Sequence, residues 1–167
     1  MRDFIELDNI DCRIIRQLQS DASLAIQDIA DKVGLTTNPC WRRIKRLETL
    51  GVLTKRVALI NPSTLGLTTT AFVMIKTDDH SAEWMELFNL CVKEIPEIIE
   101  CHRMTGSVDY LLKMVLRDLP HYDHVYQRLI KSVPNLKDVS SSFSMESLKD
   151  CSIIEPKTAN AKTNKRA

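Results

Sequence analysis

The sequence predicts an α+β protein in two parts, three short helices followed by a β-α-β-β-α-β run, and three observations carry that prediction. Apolar residues recur every three or four positions through the N-terminal third. Further on, periods of two and of 3.6 alternate, and positive charge gathers on one short helical stretch. The 167 residues are 44% hydrophobic and 27% charged, an ordinary globular composition with enough apolar mass to bury a core.

Ile10, Ile14, Ile15 and Leu18 repeat at helical spacing behind Asp8, with Asp11 three residues on. The first helix is therefore expected over residues 9–20, with a carboxylate pair at its electropositive start. A second, short helix is expected over 26–32, with Ile29, Ala30 and Val33 facing inward and Gly34 at a sharp turn. The third opens at Thr36 or Thr37. A threonine there can cap the free amides, and Pro39 fits the first turn, where its missing N–H has no helical partner to lose. Cys40, Ile44 and Leu47 fall at i, i+4 and i+7 and form its buried stripe, which makes Cys40 a small core residue rather than a redox or metal group. Gly51 ends the helix. The stretch V-L-T-K-R-V-A-L-I-N-P that follows alternates loosely like a short strand, a wing and connector.

T-A-F-V-M-I-K-T at 70–77 reads as a strand. Trp84, Leu87, Phe88, Cys91, Val92 and Ile95 then describe an amphipathic helix that Ser81 can cap and Pro96 stops. E-I-I-E-C-H-R-M-T and D-Y-L-L-K-M-V-L-R flank the turn G-S-V-D at 106–109 as a hairpin. Tyr122, Val125, Tyr126, Leu129, Ile130 and Val133 make another helix, stopped by Pro134, and V-S-S-S-F-S-M-E is the final strand. This order is the ferredoxin-like split βαβ arrangement, a sheet with two helices on one face. The other face needs a cover, and in a chain this short a second copy is the natural one, with Phe72, Met74 and Phe143 expected on it. The expected organisation is thus a winged helix-turn-helix domain over 7–61, a linker over 62–69, a ferredoxin-like domain over 70–150 and a basic, structureless tail over 151–167.

The net charge of +1 hides an asymmetry. Residues 1–35 carry seven acids against four bases, whereas residues 36–56 carry six bases, Arg42, Arg43, Lys45, Arg46, Lys55 and Arg56, against Glu48 alone. Lys157, Lys162, Lys165 and Arg166 form a second basic cluster at the end. The acidic, patchily apolar start and the lack of a long apolar run argue against secretion and membrane insertion, neither of which is expected. Five scattered cysteines without a C-x-x-C pair argue against a disulfide framework or zinc knuckle, so the cytoplasm is expected.

Three short helices with a small residue in the second, a glycine turn and a capped basic third helix are the layout of a helix-turn-helix DNA reader. The double-stranded DNA contacts are expected from Thr36, Thr37, Asn38, Trp41, Arg42, Arg43, Lys45 and Arg46, because arginine and lysine meet guanine edges or phosphates and asparagine meets adenine.

L-D-N-I-D at 7–11, V-G-L-T-T-N-P-C at 33–40, R-I-K-R-L-E at 43–48 and E-C-H-R-M-T-G-S-V-D-Y-L-L-K at 100–113 resemble the Lrp/AsnC family of feast/famine transcriptional regulators, in order and in register. One departure is Ala25 at the position where the family has a capping serine; Ser23 precedes it. The resemblance implies a ligand-sensing second domain (the RAM domain) that pairs into homodimers and assembles further, to an octamer of four dimers. It also implies a free amino acid as effector, held between subunits at the turn of Gly106, Asp109 and Tyr110, with Met104, Thr105, Ser107 and Val108 bordering it. T-T-N-P-C-W is similar to a branch that includes cysteine-responsive regulators, and Met104 and Val108 suit an apolar or sulfur-containing side chain.

A rival of another class is an enzyme: sirohaem decarboxylases resemble this family, but they have no use for Arg42, Arg43, Lys45 and Arg46 on one helix. His121 and His124, at i and i+3, lack an evident third metal ligand, and no P-loop, G-x-S-x-G or H-E-x-x-H motif is present, so no cofactor is expected.

Overall fold

The computed structural model describes residues 5–150 and 153–158. Two compact units form, one from the chain up to Leu59 together with the segment from Asp150, the other Ile60–Lys149.

The first unit holds three helices, α1 (Asn9–Ser20), α2 (Ile26–Val33) and α3 (Thr37–Thr49). Asp8 caps α1 in a reciprocal box: its carboxylate accepts the Asp11 amide at 2.7 Å, and the Asp11 carboxylate accepts the Asp8 amide at 3.3 Å. The α2 start has no side-chain cap at Ala25; Ser23 instead donates to Asp21, so that end relies on backbone geometry and the first-turn acid Asp28. Gly34 (φ +73°) ends α2, with the Leu35 amide donating to the Ala30 carbonyl and the Gly34 amide to Asp31, a Schellman turn that only glycine enters without strain. Ile14, Ile15, Leu18, Ile29, Ala30, Val33, Cys40, Ile44 and Leu47 close one core.

Two expectations need correction in this unit. Thr36 occupies the N-cap of α3 with extended backbone, but its hydroxyl caps no amide. The wing strand is absent: residues 52–61 form no ladder, and Val57, Leu59 and Ile60 are exposed, because a lone strand needs a second edge to satisfy its amides.

The second unit begins with a short 3-10 turn (Pro62–Leu65) and continues as β1 (Thr69–Thr77), α4 (Ala82–Lys93), β2 (Ile98–Arg103), β3 (Tyr110–Leu116), α5 (Leu119–Ser132) and β4 (Leu136–Phe143). The antiparallel sheet has the order β2-β3-β1-β4. Ser81 and Asp118 cap the two helices by accepting the amides of Trp84 and His121. Alternate residues of the two central strands, Ala71, Val73, Ile75, Tyr110, Leu112, Met114 and Leu116, are buried beneath the helices with Trp84, Phe88, Val125 and Leu129. Phe72, Met74, Leu111 and Val115 point to the other face and are half-buried. Phe143 does not join them. It pairs with Ala71 and meets the Tyr122 ring of α5 edge-on at 4.9 Å, so the register of β4 puts it on the helix side.

The tail expectation divides. Ile154 exchanges two backbone hydrogen bonds with the Gln19 amide group, both at 2.8 Å, and Glu155 pairs with Arg16, which lays this part of the tail on α1. Lys162, Lys165 and Arg166 lie outside the described residues.

Candidate nucleic-acid interface and ligand turn

The core stripe of α3 sets where its other side chains go. With Cys40, Ile44 and Leu47 inward, Asn38, Arg42, Lys45 and Thr49 follow at i, i+4, i+7 and i+11 on the opposite side, and all four are exposed. Thr36 is exposed beside them at the helix start. Trp41 is 47% exposed, although it is the largest side chain on the helix.

The flanks of α3 are tied down. Thr37 donates its hydroxyl to the side-chain Oε1 of Gln27 on α2. On the other side Arg43 Nη1 donates to Asp8 Oδ2 at 2.6 Å and to Asp11 Oδ1 at 2.8 Å, and Arg46 Nη2 donates to Asp11 Oδ2. Desolvation opposes ionisation of Asp8, but the Asp11 amide and the Arg43 guanidinium outweigh it and hold the Asp8 carboxyl below its ordinary value. The pairing in turn raises the Arg43 guanidinium. Lys45 forms only a local, exposed pair with Glu48 at 2.7 Å. Sequence reasoning placed Asp8 and Asp11 at the helix start but missed them as partners of α3. The signal was the acid excess before residue 36 facing the base excess after it.

Burial pushes the Cys40 thiol up, away from the reactive thiolate. His121 accepts the Arg117 amide at Nδ1 and so donates from Nε2 to Glu97 at 3.2 Å, which occupies both ring nitrogens. Among the described residues no three His, Cys, Asp or Glu side chains converge as a metal site, and no helix is long and apolar enough to cross a membrane.

The ligand turn separates into two sets. Met104, Thr105, Gly106 and Ser107 form an exposed loop, with Val108 half-buried at its base. Gly106 has φ +113°, a conformation costly for any residue with a Cβ. The loop is closed by the Met104 amide donating to the Asp109 carbonyl at 2.8 Å. Asp109 Oδ2 accepts the Thr77 amide at 2.9 Å, and the Asp109 amide donates to the Ile75 carbonyl. Tyr110 is 6% exposed, its ring 4.4 Å from Phe88 and 5.8 Å from Trp84 beneath α4. The structure thus brings the loop residues together at the surface and puts the Tyr110 ring in the core.

Comparison with known proteins follows the same division. Residues 7–48 match the AsnC-type helix-turn-helix domain and residues 70–154 the Lrp/AsnC ligand binding domain. The chain is 49% identical over 143 residues, 86% of its length and 94% of the relative's, to the DNA-binding transcriptional activator DecR of Escherichia coli K12. Among solved structures, an AsnC family transcriptional regulator from Agrobacterium tumefaciens superposes with a TM-score of 0.85 at 46% identity, covering 89% of this chain and 96% of that one. A transcriptional regulator from Neisseria meningitidis, solved as its L-Met complex, superposes with a TM-score of 0.82 at 29% identity, covering 87% and 94%.

Proposed function

The chain belongs to the Lrp/AsnC family of DNA-binding transcriptional regulators, and from that premise we infer that α3 reads an operator in the major groove while a free amino acid at the β2–β3 turn sets assembly or DNA affinity. The observation that carries the first half is the exposed row Asn38, Arg42, Lys45 and Thr49 on a helix anchored along both flanks. A helix held in this way presents one face in a fixed orientation, which groove reading requires. Thr36 and Trp41 border the row and supply phosphate and apolar contacts.

A homodimer is the reading unit. The half-buried Phe72, Met74, Leu111 and Val115 share one face of the two central strands with Lys113, which stands opposite Phe72 and pairs with Glu100, and a second copy of the same face covers it isologously. Four such dimers make the octamer that the family likeness suggests. The exposed loop of Met104, Thr105, Gly106 and Ser107 encloses a ligand only with a second chain beside it, so effector and assembly are coupled. Its amides and hydroxyls suit an amino-acid carboxylate, and Met104 and Val108 suit an apolar or sulfur-containing side chain, in line with the L-Met complex of the meningococcal regulator. The same reading places the protein with the DNA in the cytoplasm. The family matches on both domains and the charged outward face of α3 count against a tetrapyrrole decarboxylase.

The deciding experiment is a mobility-shift titration on duplexes selected from a random library, with and without a pool of the common amino acids, beside sedimentation of the same samples. Specific, salt-sensitive shifts that one amino acid alters support the reading. Salt-insensitive binding sinks the DNA half, because neutralised phosphates must release counterions. Unaltered shifts and sedimentation across all amino acids sink the effector half.

A further inference from the structure

α3 carries four cations, and two of them are already committed. Arg43 bridges Asp8 and Asp11, and Arg46 binds the second oxygen of Asp11. The Asp11 side chain has 0% exposure, whereas those of Arg43 and Arg46 retain 30% and 47%. A carboxylate wholly out of water is tolerated only while it is paired. An arginine that turned fully to a DNA phosphate would take one of two guanidinium partners from this buried carboxylate, and Arg43 is the one donor to Asp11 Oδ1 among the described residues.

We propose that Asp11, seconded by Asp8, is a positioning residue for DNA reading: it holds Arg43 and Arg46 as clamps that fix α3, and leaves contact with DNA to the row of Asn38, Arg42, Lys45 and Thr49. The carboxylates are themselves held, because each accepts the other's backbone amide in the box that starts α1. The pairs span 32 and 35 residues of sequence and so tie α1 to α3. A guanidinium has a rigid planar fork, so each pair fixes a direction as well as a distance. On the opposite flank the Thr37–Gln27 bond resists rotation of α3 the other way. Two acids against two arginines also make the cluster neutral as a group, so it adds little to the attraction of phosphates. Counterion release then comes from Arg42 and from Lys45, whose exposed pair with Glu48 is weak and screened.

The test uses the full chain and two duplexes, one selected from a random library and one scrambled, with affinities measured between about 50 and 200 mM salt. Arg43→Gln and Arg46→Gln are expected to weaken the selected duplex about tenfold, the equivalent of one lost well-placed contact, and the scrambled duplex much less, with the slope of log affinity on log salt unchanged. Arg42→Gln lowers that slope by about 0.9, the value of one phosphate. Asp11→Asn weakens selected binding although it adds positive charge, and Asp11→Asn/Arg46→Gln is no weaker than the worse single variant, the non-additivity of one shared unit. Arg46→Lys restores part of the discrimination.

A slope lowered by about 0.9 in Arg43→Gln or Arg46→Gln means that those arginines touch phosphates, and it overturns the proposal. So does tighter binding by Asp11→Asn. A loss that is equal on both duplexes would show a merely structural role and overturn it too. If Asp11→Asn does not fold, the slopes and duplex ratios of Arg46→Gln and Arg42→Gln, both on exposed side chains, decide alone.

Discussion

Arg42 stands in the middle of the outward row of α3, exposed and without a hydrogen-bond partner among the described residues. DNA can take its guanidinium without breaking anything inside the protein. Arg42→Ala is therefore expected to weaken operator binding and, like Arg42→Gln, to lower the slope of log affinity on log salt by about 0.9, read by titrating the mobility shift at several salt concentrations. Cys40 is the opposite case: fully buried in the stripe beside Ile44 and Leu47, with its thiol pushed up by desolvation. Cys40→Ala removes packing only, so a stability loss of roughly 1 kcal/mol in a urea melt is expected with DNA affinity retained. A folded Cys40→Ala protein that no longer shifts DNA would show instead that the thiol acts directly. Tyr110 illustrates how one residue can carry a family signature and yet serve packing: its ring lies in the aromatic group of Trp84 and Phe88.

At the scale of elements, the turn between α2 and α3 decides how α3 leaves its support. Gly34 at φ +73° has open space where a Cβ would stand, so its substitution costs backbone strain rather than a clash. Gly34→Ala should lower stability by about 1–2 kcal/mol, seen as a shifted urea midpoint with an unchanged slope. The β2–β3 loop is built the same way around Gly106, but here a structural role and the proposed ligand role overlap. Because Asp109 Oδ2 already accepts the Thr77 amide, Asp109→Ala loosens the junction of β1 with the start of β3 as well as the candidate pocket. The sharper substitution is Ser107→Ala on the exposed loop. It should weaken the amino-acid response, measured by calorimetry and by the mobility shift, while the melting temperature stays put. An undiminished response moves the ligand contacts off this loop's hydroxyl.

For the whole molecule, the open sheet face and the carboxylates set two expectations. A further, unpaired charge on that face, Met74→Lys beside Leu111, should split the proposed dimer, seen as a concentration-independent monomer in sedimentation. A wild-type-like assembly would place the interface elsewhere. Acid stability follows from Asp8, Asp79 and Glu100, which hydrogen bonds and cations hold below their ordinary values despite desolvation. A group whose folded pKa lies below its unfolded one stabilises fully above the unfolded value. That stability is lost as pH falls through the folded value. The protein is therefore expected to keep its melting temperature from neutrality down to about pH 5 and to lose it progressively below about pH 4. A melting temperature flat to pH 2 would contradict these pairs.

The sequence by itself determined the helices, strands and their order, because the rules that make them act within a few residues. Ile14 and Leu18 lie one turn apart, Ser81 and Asp118 cap the amides three residues on, and Gly34 takes a conformation that its neighbours avoid. It determined the outward face of α3 as well, since the Cys40–Ile44–Leu47 stripe fixes by periodicity which residues look away from the core. Only the tertiary structure decided which of those cations are free. The partners of Arg43 and Arg46 lie 32 and 35 residues away, and no local spacing marks an ion pair that forms when two helices meet. The side on which Phe143 falls was likewise beyond local reading, because it depends on the register of β4 against β1, where a shift of one residue exchanges the faces. The wing strand failed for the related reason that a strand is not a property of its own residues alone: residues 52–61 have the alternation, but among the described residues no second edge supplies the hydrogen bonds.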